Sequence, residues 1–145
     1  MAFNVKKGWP LGGALEDSAK PKAGEGIVAG MAIKKDSSGE LVKATGAALE
    51  VSYMALDNQD AFDVVEADKL PYILGNAIVQ TDQFVAGAYA VNDALQVSTV
   101  GAEAGKLVVH TGGTAPTWGW VDELVTVDGV SMLSVVKPVP MGEAQ

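Results

Sequence analysis

Cysteine and arginine are both absent, and the chain has a single histidine, His110. Without cysteine there can be no disulfide and no thiolate metal site, and the redox compartment is not legible from the chain. Without arginine all ten basic residues are lysines, so the planar guanidinium fork that best clamps phosphate or carboxylate is missing. At a net charge of −8 the surface is a poor match for nucleic acid, whose affinity rests largely on phosphate neutralisation. No direct nucleic-acid partner is expected. No apolar run reaches the ~18 residues of a membrane span, so no membrane partner is expected. Lys6 and Lys7 are not followed by the apolar stretch of a secretory signal.

Catalytic vocabulary is equally sparse. His110 falls in an apolar alternation, and no Gly-x-Ser-x-Gly or other feature nominates the nucleophile and carboxylate that a triad needs beside it. One histidine and no cysteine make zinc improbable. The acidic run Asp57, Asp60, Asp63, Glu66 and Asp68 fails as an EF-hand, because Ala61 and Phe62 stand where the loop needs an oxygen ligand and a glycine. It reads as a solvated loop. No phosphate-cradling glycine motif is present. No enzyme activity, metal or cofactor is expected.

What the chain has is valine, alanine and 17 glycines in 145 residues, a composition of short strands and many turns. One phrase occurs twice. Val28-Ala29-Gly30 leads into Gly39-Glu40-Leu41-Val42-Lys43-Ala44-Thr45, and Val85-Ala86-Gly87 leads into Gly105-Lys106-Leu107-Val108-Val109-His110-Thr111. The phrase reads either as a duplication or as coincidence in a Val-, Ala- and Gly-rich chain. Strands are expected over Ile27–Ile33, Leu41–Thr45, Ala47–Met54, Leu70–Thr81 with a bulge near Gly75-Asn76, Leu95–Thr99 and Leu107–Thr111. Asp128-Gly129 between Leu124–Val127 and Val130–Val136 is the strongest hairpin signal, a two-residue type I′ turn. The expected class is all-β, a small β-barrel or β-tulip-like body or a sandwich.

Residues 1–26 sustain no strand or helix period. They are expected to form an extended N-terminal arm before a β-rich body at 27–145. Phe3, Val5, Trp9, Pro10 and Leu11 would pack on the body or on a neighbour. Trp118 and Trp120 flank Gly119 and would share one face of a strand. Such a pair suits either a core or subunit interface or the stacking platform of a carbohydrate-binding module.

Over Gly26–Thr45, Gly75–Thr99, Gly105–Thr111 and Trp118–Val136 the chain resembles the small capsid decoration (cement) proteins of tailed bacteriophages. The likeness is one of strand-and-turn order, including Ala90-Val91-Asn92-Asp93-Ala94-Leu95-Gln96-Val97-Ser98 and a Gly119-Trp120-Val121 ending, and it covers roughly residues 24–137. It implies a structural protein on the outer surface of an icosahedral head, in the virion after assembly in the bacterial cytoplasm. Such proteins are often homotrimers that clamp adjacent major capsid proteins against internal DNA pressure. The resemblance gives the arm a role on a capsid strand or a neighbouring subunit. A tail or fibre component and a carbohydrate-binding module are the competing expectations.

Overall fold

The structure, a computed structural model, describes residues 3–8, 15–59 and 69–139. It is all-β and sandwich-like, and the sheets do not close into a barrel. The strands are β1 (Phe3–Gly8), β2 (Leu15–Ala19), β3 (Ala32–Lys35), β4 (Leu41–Lys43), β5 (Tyr53–Ala55), β6 (Leu70–Gly75), β7 (Ala77–Thr81), β8 (Ala94–Val97), β9 (Leu107–Val109), β10 (Gly119–Val127) and β11 (Val130–Lys137). One sheet has the order β2-β6-β5-β3-β4, the other β1-β7-β11-β10-β8-β9, and all pairings are antiparallel.

With β1 set aside, the two orders are the same, and so are the registers. Lys35 faces Leu41 as Val97 faces Leu107. Ile33 faces Tyr53 as Leu95 faces Gly119. Ala55 faces Tyr72 as Val121 faces Val135, and Tyr72 faces Asp17 as Val135 faces Val79. The irregular segments repeat too. Lys22 N–H donates to Leu41 O and Leu41 N–H to Lys20 O. In the same way Val85 N–H donates to Leu107 O and Leu107 N–H to Gln83 O. The described residues 15–59 and 69–75 therefore form one copy, and residues 77–137 a second copy, of one supersecondary unit.

The repeated phrase is thus half correct. Gly39–Thr45 and Gly105–Thr111 are equivalent. Val28-Ala29-Gly30, however, corresponds to Ala90-Val91-Asn92 and not to Val85-Ala86-Gly87. Gly30 N–H donates to Ala55 O and Met31 O accepts from Ala55 N–H; Asn92 and Asp93 make the same two bonds to Val121. Gly30 has φ 92° and Asn92 φ 76°. The turn needs a left-handed residue, and asparagine supplies it where the first copy has glycine.

Other expectations shift for similar local reasons. Residues 47–52 form a turn and not a strand, with Leu49 at φ 65°. Ile27–Met31 is a loop and the strand begins at Ala32. Asp128-Gly129 is the expected tight turn, with φ of 52° and 81°. The irregularity at Gly75-Asn76 is a corner, where the strand leaves one sheet as β6 and joins the other as β7. Within the segment expected as an arm, Phe3–Gly8 pairs with β7 and Leu15–Ala19 with β6 of the same chain.

Neighbouring residues of the first sheet belong to different clusters. Ile33, Ala55 and Tyr72 pack with Ile27, Met31, Leu41 and Leu70. Ala32, Met54 and Ile73 point the other way and pack in one cluster with Leu95, Val121 and Val135 of the second sheet and with Trp118, just before β10. The central strands β3, β5 and β6 of the first sheet thus bury residues on both faces, while the edge strand β2 is largely exposed. Gly105 ties the units together: it accepts from Ala32 N–H at 2.8 Å and donates to Ala44 O at 2.9 Å.

Candidate functional site

Equivalent connections from the two units meet around one pocket of about 330 Å³. The β4–β5 connection contributes Gly46, Leu49, Glu50 and Ser52; the β9–β10 connection contributes Thr114, Pro116, Thr117 and Trp118. Val97, Trp120, Lys137 at the end of β11 and the following Pro138 and Val139 complete the lining.

Each wall is held by its own polar anchor. Glu50, with its side chain 4 % exposed, accepts from the backbone N–H groups of Thr45 and Gly46 and from Thr45 Oγ1, and pairs with Lys34 Nζ at 3.0 Å. It fixes the turn that replaces the expected strand. Glu50→Ala leaves those N–H donors without their acceptor, and is expected to cost about 2 kcal/mol. Lys34→Ala removes only the partly exposed end of the pair and should cost well under half of that. Paired urea titrations read the difference.

On the other wall His110 Nδ1 accepts from Gly112 N–H at 3.0 Å, so its Nε2 carries the proton and donates to Ala115 O at 2.7 Å. The lone histidine is a loop fastener.

Trp118 and Trp120 both border the pocket, but they do not form a flat aromatic platform. Trp118 precedes β10 and is 3 % exposed, within the core; Trp120 is 42 % exposed. Of the two rings only that of Trp120 is open to solvent. The indole Nε1 of Trp118 is buried and has no hydrogen-bond partner among the described residues.

The residue that the sequence reading missed is Lys137. It is 2 % exposed, its Nζ donates to Pro138 O at 3.1 Å, and it lies 4.8 Å from the centroid of the Trp118 ring. Among the described residues no carboxylate pairs with it, and burial pushes its pKa down to about 7. The signal was available: Leu133, Val135 and Lys137 alternate along one strand, which places all three on the inward face.

Of the other candidate residues, Phe3 and Val5 pair through their backbones with Thr81 and Val79. Trp9, Pro10 and Leu11 lie outside the described residues, as do Asp60, Asp63, Glu66 and Asp68. Among the described residues no group of three acidic or histidine side chains could hold a metal ion. No helix among them is long and apolar enough to cross a membrane. Neither a protein-family model nor a curated protein sequence matches this chain.

Proposed function

We propose that this chain is a structural virion protein that binds the outer surface of an icosahedral phage head, as a homotrimer, and clamps adjacent major capsid proteins. The observation that supports this reading best is the β10–β11 hairpin. Among the described residues, Leu124–Val127 and Val130–Met132 are paired only with each other; the flanking strands β7 and β8 stop at Leu133 and Trp120. The ribbon therefore runs out past its sheet, with Leu124 51 % and Val130 45 % exposed. A two-stranded ribbon on its own is marginal in water. Its open edges and apolar side chains suit strand addition or packing onto a flat protein surface. The fold's two open sheets, carrying an acidic surface outward, fit a clamp that works by contact area.

The test uses heads assembled without this protein. Added protein should co-sediment with them and raise the temperature at which they release DNA. Mass photometry should give a trimer, free or on the head. Leu124→Ser with Val130→Ser should weaken head binding at least about tenfold while leaving the melting temperature of the free protein nearly unchanged, because both side chains are already exposed. Absence of binding to any head would overturn the proposal.

A further inference from the structure

We infer that the pocket between the two units is a binding site for a small organic acid, an apolar body bearing one carboxylate that pairs with Lys137 Nζ. The inference stands apart from the capsid reading and survives its failure.

The repeat supplies the comparison that makes the site informative. By register, Lys137 corresponds to Leu74 and Trp118 to Ser52 in the first unit. The supersecondary unit folds with leucine at the lysine position, so the architecture does not require a cation there. In the second unit a cation is present, and it is nearly fully buried.

The donors outnumber the acceptors. A lysine ammonium has three N–H donors, and Pro138 O takes one. The buried Trp118 indole N–H has no acceptor among the described residues. Leaving a buried donor unmade is costly, and a buried cation without an anion is costlier. Glu50 is the other ionisable residue in the lining, and its carboxylate is engaged by Lys34 and by the amides of Thr45 and Gly46. Among the described residues, what the site lacks is an anionic acceptor. A carboxylate supplies that charge and accepts from the remaining ammonium N–H donors.

The rest of the lining selects the ligand's body. Leu49, Val97, Pro116, Trp120 and Val139 are apolar, which disfavours a phosphate or a sugar and favours an aliphatic or aromatic group. The volume of about 330 Å³ is at the small end of ligand pockets, so the body is compact. Burial holds Lys137 near pH 7 in its titration; an incoming carboxylate favours the charged form and draws a proton onto the amine.

The experiment follows the Trp118 indole N–H resonance of the isotopically labelled full chain, assigned with Trp118→Phe, during titration at pH 6.5. The probes are phenylacetate and hexanoate, with phenylacetamide as the neutral control. Both acids should shift that resonance saturably, and the amide should bind at least about tenfold more weakly. Lys137→Met should abolish the shift although the variant remains folded. Equal binding of acid and amide, an unchanged response in Lys137→Met, or no saturable shift up to tens of millimolar acid would each overturn the inference.

Discussion

Lys137→Met stabilises the protein against urea at pH 6 by about 2–4 kcal/mol, and the gain contracts as pH rises toward 9.5. Burial alone lowers the lysine from 10.5 to about 7 in the folded state. Below pH 7 the amine is protonated in both states, and the folded protein carries an ammonium with no carboxylate beside it among the described residues. A shift of that size corresponds to roughly 5 kcal/mol of bias against the charged form. The carbonyl of Pro138 and the face of Trp118 are lost with the side chain, which brings the net gain below that ceiling. Methionine matches the length of the stem and fills irregular apolar space. Between pH 7 and 10.5 the unfolded chain holds the proton and the folded one does not, so wild-type stability climbs with pH by up to ~1.4 kcal/mol per unit. The variant lacks that slope, and by pH 9.5 the difference should have shrunk by up to about 3 kcal/mol. Burial raises Tyr72 and Tyr89 above 10, so their titration stays outside this window. Equal urea midpoints at pH 6, or wild-type stability that falls from pH 7 to 9.5, would contradict the account.

The same residue shows where sequence reading reaches its limit. The all-β class, the Asp128-Gly129 turn and the irregularity at Gly75-Asn76 are local matters of turn chemistry and side-chain alternation, and they are legible in the chain. The equivalence of Gly39–Thr45 with Gly105–Thr111 is legible because both segments keep the glycine and the leucine of one hairpin. The other half of the repeat is hidden, because Asn92 performs the backbone task of Gly30 with a different side chain. A chance Val-Ala-Gly string at Val85–Gly87 then draws the eye. Residues 47–52 look like a strand in isolation, but the Glu50 carboxylate binds the amides of Thr45 and Gly46 and closes a turn. For Lys137, alternation along β11 places the side chain inward, whereas the following proline suggests a strand that simply ends. Only the register between units shows that a leucine occupies the matching place in the first copy, and only the three-dimensional fold brings Trp118 over the amine. The pocket is a product of two connections far apart in sequence, which no local pattern records.

Gly75→Ala is expected to destabilise the protein by roughly 3–5 kcal/mol and lower its melting temperature by more than about 10 °C. Gly75 sits at the corner between β6 and β7 with φ 151°, a conformation that a Cβ strains. A methyl there would meet Pro138 O at 2.4 Å, Pro138 C at 2.5 Å and Val139 N at 2.6 Å. All three are backbone atoms, so no side chain can swing aside. Relief requires the segment after β11 to move away from the corner, where Asn76 N–H donates to Lys137 O at 2.8 Å. That movement would loosen the seam between the two units and the wall of the pocket together. Gly39→Ala is the matched control. Gly39 also has positive φ, at 83°, but a Cβ there meets nothing within 4 Å, so its cost is the backbone term alone, about 1 kcal/mol. Thermal melts of the two variants followed by circular dichroism separate the contributions. A Gly75→Ala melting point within a few degrees of Gly39→Ala would mean that the close approach of Pro138 does not hold the corner. The larger loss ties the sheet-to-sheet corner, the end of β11 and the lysine pocket into one mechanical unit.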